Sequence, residues 1–250
     1  MKRLEGKVAV VTGGGKGIGA AVAKRLAADG AAVVVNYASS AADAQTTVDA
    51  IVAAGGKAIA VKANVAKRDE VTALFGAARE AFGPVDILVN NAGVYEFRPL
   101  EAIDEEHIDR QFNINVKGLL FATQEAAKDF DGGRGGVVIN IGSQVSLTPP
   151  ANGSVYSATK GAGDVITRSL AQELGPKNVR VISVAPGVTL TEGFVSMGGH
   201  EGFIEFAKTR TPLGRPGRPE DVADVVATLV SDESRWITGS VIPVAGGLTL

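Results

Sequence analysis

Val8-Ala9-Val10-Val11-Thr12-Gly13-Gly14-Gly15-Lys16-Gly17-Ile18-Gly19 decides how this 250-residue chain is read. A short apolar run breaks into glycine, and a helical pattern continues from Ile18 to Leu26. That order is strand, tight turn and helix, the opening unit of a nucleotide-binding sheet. Gly13 permits a backbone conformation closed to other residues, and Gly17 and Gly19 let the helix start lie close to both strand and ligand. The unpaired amides of the first helical turn then face outward, toward where a phosphate would sit. Taken alone, the same glycines also fit a βα turn with no ligand, so the reading depends on the rest of the chain.

Beyond Gly19, strands and helices alternate. Strands are expected at Lys7–Val11, Ala32–Tyr37, Lys57–Val61, Val85–Val89, Val137–Ile141, Val179–Val184 and Val241–Val244. Helices are expected at Gly17–Ala28, Ser40–Ala54, Asp69–Phe82, Asp104–Asp129, Ser154–Leu174 and Pro219–Leu229, with a flexible turn at Gly132–Gly136. A loop-rich insertion spans 188–218. The pattern predicts an α/β fold: a single-domain, Rossmann-like, doubly wound parallel sheet of about seven strands with helices on both faces, over residues 1–250. Ligands of such sheets bind beyond the carboxyl ends of the strands. That edge collects Gly13 to Gly19, Asn36 to Ser40, Asn64, Asn90 to Gly93, Ser143 and Pro186 to Thr191.

Composition narrows the function. A net charge of -2 gives no reason to expect nucleic acid or an anionic membrane as partner. The absence of cysteine excludes disulfides, thiolate catalysis and cysteine-held metal. No apolar run approaches the roughly 20 residues needed to span a bilayer, and the first residues do not read as a secretory signal, so a soluble, cytoplasmic protein is expected. The two histidines, His107 and His200, form no zinc-like cluster, and no metal is expected.

Chemistry enters with Tyr156-Ser157-Ala158-Thr159-Lys160. Tyr156 and Lys160 are four apart on one face of a helix. A phenol ordinarily has a pKa near 10, too high for easy proton exchange at neutral pH. A nearby ammonium favours the phenolate, so the pair can serve as general acid or base. On spacing alone it could also be a solvated surface pair. Ser143, at the carboxyl end of the fifth strand, can face the same crevice and hold a substrate oxygen. Asn115 stands inside a helical pattern that does not favour asparagine. It could bridge to Lys160 through water or mark a bend.

In these pieces the chain resembles a classical short-chain dehydrogenase/reductase over nearly its whole length. Thr12 to Gly19 fits the T-G-x-x-x-G-x-G turn, and Asn90-Asn91-Ala92-Gly93 fits the N-N-A-G segment. Asn115, Ser143, Tyr156 and Lys160 match the catalytic four, and Pro186-Gly187-Val188-Thr189 with Thr191 matches the segment bordering the nicotinamide. The resemblance implies reversible hydride transfer between a nicotinamide and a carbonyl carbon. Tyr156 would exchange the proton, Ser143 hold the oxygen, Lys160 lower the tyrosine pKa and hold the ribose, and Asn115 support a water relay. It also implies a homotetramer, formed through helices near 104–129 and 154–174 and through the C-terminal strand region. Two positions depart from the family: Asn64-Val65 where aspartate-valine is common, and Ile182 where asparagine is common.

The second strand ends Asn36-Tyr37-Ala38-Ser39-Ser40, with no carboxylate to accept ribose hydroxyls, and Lys16 adds a cation to the glycine turn. Both features favour NADP(H) over NAD(H), although Lys16 could be a solvated turn lysine and Ser39 and Ser40 could simply start a helix. The substrate side is expected along Val94-Tyr95-Glu96, Gln144-Val145, Pro149 to Asn152 and the 188–218 insertion. That insertion carries Phe194, Met197, Phe203 and Phe206 and reads as a substrate cover with an apolar inner surface. Trp236 is expected to pack. The leading expectation is an NADPH-dependent reductase of a ketone or 3-oxoacyl-type carbonyl to a secondary alcohol, close to 3-oxoacyl-(acyl-carrier-protein) and polyhydroxynaphthalene reductases. A sugar or polyol dehydrogenase and a non-catalytic NADP-binding regulator are the alternatives.

Overall fold

Buried valines and isoleucines set the frame. Val10, Val34, Leu88, Val138 and Val181 sit on one side of a sheet, and Val11, Val35, Val89, Ile139 and Ile182 on the other. Strands covered on both faces read as unbroken apolar runs, as these do. The computed structural model describes residues 2–130, 134–192 and 200–248; at His200, Glu201, Phe203 and Phe206 it describes the backbone alone. The strands are β1 (Val8–Val11), β2 (Ala32–Tyr37), β3 (Lys57–Lys62), β4 (Ile87–Asn90), β5 (Gly136–Ile141), β6 (Val179–Pro186) and β7 (Val241–Val244). They form one sheet in the order β3-β2-β1-β4-β5-β6-β7. Every pairing is parallel, with Val10 opposite both Val34 and Leu88.

The helices are α1 (Gly17–Ala28), α2 (Ala41–Ala53), α3 (Arg68–Phe82), α4 (Glu105–Phe112), α5 (Gly118–Ala127), α6 (Ser154–Leu174), α7 (His200–Arg210) and α8 (Pro219–Val230). Helices α1, α2 and α8 pack on one face of the sheet, through residues such as Leu26, Ile51 and Val226. Helices α3, α5 and α6 cover the other, through Phe75, Ala126 and Leu174. The order of strands reverses direction between β1 and β4, which opens a crevice at their carboxyl ends.

Three expectations change. The single helix expected over 104–129 is α4, a five-residue π segment at Asn113–Lys117, and α5. Asp104 caps α4 by accepting from the His107 amide at 2.7 Å. Strand β4 begins at Ile87 because the Asp86 carboxylate takes the Val8 amide at 2.9 Å. Trp236 does not pack: it is 96% exposed on the isolated chain. Of the expected flexible turn, residues 132 and 133 lie outside those described; Gly135 holds φ at +67°.

Space, not conformation, explains Gly19. A Cβ there would stand 2.4 Å from both Asn91 Nδ2 and the Gly13 carbonyl oxygen, whereas one at exposed Gly76 in α3 would meet nothing within 4 Å. Gly19→Ala is therefore expected to destabilise the fold by about 1–3 kcal/mol through overpacking. Gly76→Ala should stabilise it by about 0.5–1 kcal/mol, as alanine does in a helix interior. Urea unfolding of the two variants checks this, and equal effects would contradict it.

Candidate active site

Thr12 is the keystone of the glycine turn. Its buried hydroxyl accepts the amides of Asn91 and Ala92, both at 3.0 Å, and donates to the Val89 carbonyl at 3.3 Å. Asn91 answers by donating Nδ2 to the carbonyls of Thr12 and Gly13, both at 2.9 Å. The segment after β4 is thus locked to the turn after β1, and Asn91 shapes the end of the crevice beside the glycine turn. Gly15 packs against α2, where Thr47 donates to its carbonyl at 3.1 Å.

Beyond the turn lies a cleft of about 630 Å³. Its walls are Gly13, Lys16, Gly17 and Ile18; the loop from Asn91 to Tyr95; the strand end from Ile141 to Val145; Tyr156 and Lys160; and Pro186 to Thr189 with Thr191. At the α1 N-terminus the Gly17 amide is held at 3.0 Å by a carboxylate oxygen of Glu192. This helix start therefore already receives an anion from the protein itself, as unpaired first-turn amides should. An amide in this position is of the kind that a dinucleotide pyrophosphate would use. Nothing in the sequence singled out Glu192, because a lone acid after Thr191 has no periodicity or spacing that marks it.

The end of β2 divides into two kinds of residue. Asn36 is buried: its Oδ1 accepts from the Gly13 amide at 3.2 Å, and its Nδ2 donates to Ala63 at 2.9 Å and Val61 at 3.3 Å. Its amide serves the turn and the β3 end, not an expected phosphate. Ala38 and Ser39 are exposed, Tyr37 and Ser40 are partly so, and Lys16 stands exposed on the rim. Asn64 uses Oδ1 to accept from the Ala66 amide at 3.0 Å, and Val65 is buried against Gly118. Neither Asn64 nor Val65 lines the main cleft.

Asn115, Ser143, Tyr156 and Lys160 converge where β4, β5 and α6 meet. The widened π turn rotates Asn115 toward the loop after β4, where it accepts from the Val94 amide and donates to the Val94 carbonyl, both at 2.8 Å. It also donates to Thr159 Oγ1 at 3.0 Å, and so joins that loop to α6. Extra turns of this kind recur at functional sites. A cavity of about 10 Å³, at the lower limit for one water, lies among Thr12, Asn90, Asn115 and Lys160. Lys160 Nζ donates to the Ile141 carbonyl at 2.8 Å and lies 5.8 Å from the centre of the Tyr156 ring. Tyr95 and Phe97 wall the other side of that ring, with centroids at 6.1 and 5.8 Å. The sequence pointed to Tyr95 through its place after the N-N-A-G segment, but carried no sign of Phe97.

Desolvation governs the electrostatics. Tyr156 and Lys160 sit at the floor of the cleft, open to it but surrounded mostly by protein. Burial pushes the Tyr156 phenol up to about 12; a hydrogen bond with Ser143 opposes the rise, and Tyr95 adds to it. Burial also pulls the Lys160 ammonium down to about 8, against the attraction of Asp164. From the protein's own groups, then, the phenol is held neutral, and the ammonium is engaged by Ile141. The expected lowering of the phenol by Lys160 is not among the effects acting on Tyr156 here.

The 188–218 insertion, expected to cover the substrate, is anchored at its base among the described residues. The Leu190 amide donates to the Gly217 carbonyl at 2.9 Å, and the Gly217 amide to Val188 at 2.8 Å. Phe194 and Met197, and the side chains of Phe203, Phe206 and His200, fall outside the described residues. Among the described residues no group of histidine, cysteine, aspartate or glutamate could hold a metal, and no helix is long and apolar enough to cross a membrane.

The chain is similar to known proteins over nearly its whole length. A family model described as enoyl-(acyl carrier protein) reductase matches residues 13–249. An uncharacterized oxidoreductase of Methylorubrum extorquens is 53% identical over 249 residues, 99% of this chain and 100% of that protein. A probable tetrahydroxynaphthalene reductase of Zymoseptoria tritici is 42% identical, covering 98% of this chain and 95% of its own length. The crystal structure of a short chain dehydrogenase from Burkholderia cenocepacia in complex with NADP superimposes with a TM-score of 0.91, at 40% identity over 98% of both chains.

Lys160→Met is expected to be more stable than the parent at pH 7, by roughly 1–3 kcal/mol. With its pKa drawn down from 10.5 to about 8, Lys160 binds fewer protons in the folded than in the unfolded protein between those values. Parent stability should therefore rise relative to the variant from about pH 8 to 10.5, and the gap should close. Urea unfolding at pH 7 and pH 10 reads both terms; a variant already less stable at pH 7 would contradict the account.

Proposed function

The chain belongs to the short-chain dehydrogenase/reductase family, and from that premise we propose that it is an NADPH-dependent reductase converting a ketone or 3-oxoacyl-type carbonyl to a secondary alcohol. The observation that carries the reading is the convergence of Ser143, Tyr156 and Lys160 on one apolar-walled cleft, at whose far end the Gly17 amide donates to the chain's own Glu192 carboxylate. A reduced nicotinamide, when bound, supplies a hydride to the carbonyl carbon. The protein's part is to bind, orient and donate a proton. Ser143 holds the carbonyl oxygen, and Tyr156 donates its hydroxyl proton to that oxygen as negative charge develops there, so hydride and proton together complete the alcohol. A phenol kept neutral by burial begins in the protonation state that reduction needs. Lys160 then stabilises the resulting phenolate, and a water held near Asn115 can return the proton.

The preference for the phosphorylated cofactor rests on Lys16 at the rim and on a β2 end with hydroxyls and no carboxylate. It agrees with the NADP complex of the Burkholderia cenocepacia protein. A ring-bearing ketone agrees with the Tyr95 and Phe97 wall and with the naphthalene-named relative. A sugar dehydrogenase would call for more polar groups along that wall. The proposal includes a homotetramer in a cytoplasmic setting. Its support is a run of exposed apolar side chains, Ile108 and Phe112 on α4 and Val165 on α6, with Leu213 and Trp236 near the C-terminal strand. Sedimentation velocity giving a monomer would remove the tetramer.

Absorbance of NADPH and of NADH, followed with a panel of cyclic ketones, β-keto esters and sugars, tests the reading. NADPH oxidation with a ketone is expected to exceed that with NADH, and Lys16→Ala should narrow the difference. Tyr156→Phe should lower kcat by roughly 10²–10⁴-fold with the fold intact. Full activity in that variant would overturn the role of Tyr156, and turnover with sugars alone would favour the dehydrogenase alternative.

A further inference from the structure

Asp164 is a buried carboxylate that the chemistry above leaves unused. It lies on α6 one turn beyond Lys160 and is 4% exposed. A carboxylate withdrawn from water is costly unless it is partnered. Its hydrogen-bond partner is neutral: Ser183, on β6, donates Oγ to Asp164 Oδ1 at 2.7 Å. The two side chains fill the space at the end of β5. A Cβ on Gly142 would stand 2.8 Å from Ser183 Oγ and 3.3 Å from Asp164 Oδ1. Gly142 separates Ile141, whose carbonyl takes Lys160 Nζ, from Ser143.

We propose that Asp164 is a positioning residue for the Tyr156–Lys160 pair, acting as the buried counter-charge of the ammonium and, with Ser183, as the prop beneath the strand end that carries Ser143. The proposal rests on the reading of Tyr156 and Lys160 as proton donor and partner. The neighbours of Lys160 explain why a counter-charge matters. Strand β5 offers the Ile141 carbonyl, the π segment Asn115, the loop after β4 Gly93, and the turn after β1 Thr12, all of them neutral. Among the described residues, the titratable groups near it are the phenols of Tyr156 and Tyr95, both pushed up by burial and neutral at pH 7, and Asp164. Glu192 is held across the cleft on Gly17.

Two substitutions separate charge from shape. Asp164→Asn keeps an acceptor for Ser183 and removes the charge; Ser183→Ala keeps the charge and removes the bond. Lys160 is charged below its pKa, so loss of the counter-charge should discharge it at lower pH. For Asp164→Asn the alkaline limb of kcat/KM for ketone reduction is expected to move down by about one pH unit. NADPH affinity, read by fluorescence titration in the absence of ketone, should weaken over the same lower range. Ser183→Ala should keep the parent limb while kcat falls several-fold. Should Asp164→Asn lack a cooperative thermal transition, Asp164→Glu takes its place: the retained charge should keep the parent limb while kcat falls, and a shifted limb would overturn the proposal. An Asp164→Asn protein with the parent pH profile and parent NADPH affinity from pH 6 to 10 would also overturn it. Tyr156→Phe distinguishes the two levels: if it is inactive while Asp164→Asn matches the parent, only the proposal about Asp164 fails. If Tyr156→Phe is fully active, the underlying reading fails.

Discussion

One ammonium, buried against the carboxyl end of β5, sets the terms for everything around it. Lys160 gives Nζ to the Ile141 carbonyl and sits where helix, sheet and cleft meet, in surroundings that disfavour its charge. A cation in that position is tolerated only if polar groups are fixed around it in advance. The fold supplies them from separate elements: a strand-end carbonyl from β5, an asparagine from a widened helical turn, and a carboxylate further along α6. Each would be of little use if the sheet did not bring the ends of β1, β4 and β5 side by side.

The buried polar residues between the layers do that alignment. Asn90 at the end of β4 donates to Asn140 on β5 at 2.9 Å and to Thr123 on α5 at 3.1 Å. Asn140 in turn donates to Thr167 on α6 at 2.8 Å. Such a chain is stable only when each member is satisfied, so it specifies one register between sheet and helices. At the other end of the cleft, Thr12 and Asn91 perform the same task for the glycine turn. The glycine turn and the ends of β4 and β5 are therefore each held by fixed amides and hydroxyls, one set through Thr12 and Asn91 and the other through Asn90, Asn140 and Thr167.

Much of this was legible in the chain itself, because parallel strands buried on both faces leave apolar runs, and βα turns leave glycine. The seven strands and the bounds of α1 and α6 can be read from those signals. The break between α4 and α5 was not legible. A single π turn shifts the helical register over too few residues to break the apolar pattern on either side, and only the unfavoured Asn113 and Asn115 hint at it. Asn36 looked like a ligand donor because it stands at the right edge of the sheet. Burial turns it inward, and burial is set by neighbours far away in sequence. Trp236 failed for the opposite reason: its size suggests packing, yet the chain offers it no cover. Glu192 and Asp164 carry no local signature, since a carboxylate acquires its meaning from what faces it.

Burial keeps the Tyr156 phenol protonated until a charged partner arrives in the cleft, and that central claim is open to direct measurement. The chain has three tyrosines, so tyrosine labelled with ¹³C at Cζ gives a simple spectrum in which Tyr156 is assigned by Tyr156→Phe. Titrated alone, the Tyr156 signal should stay in the phenol form past pH 10, consistent with a pKa pushed up to about 12. With saturating NADP⁺, whose nicotinamide ring is cationic, it should titrate well below that value, as a neighbouring positive charge requires. A Tyr156 that ionises below pH 10 in the protein alone, or one that titrates identically with and without NADP⁺, would contradict the account.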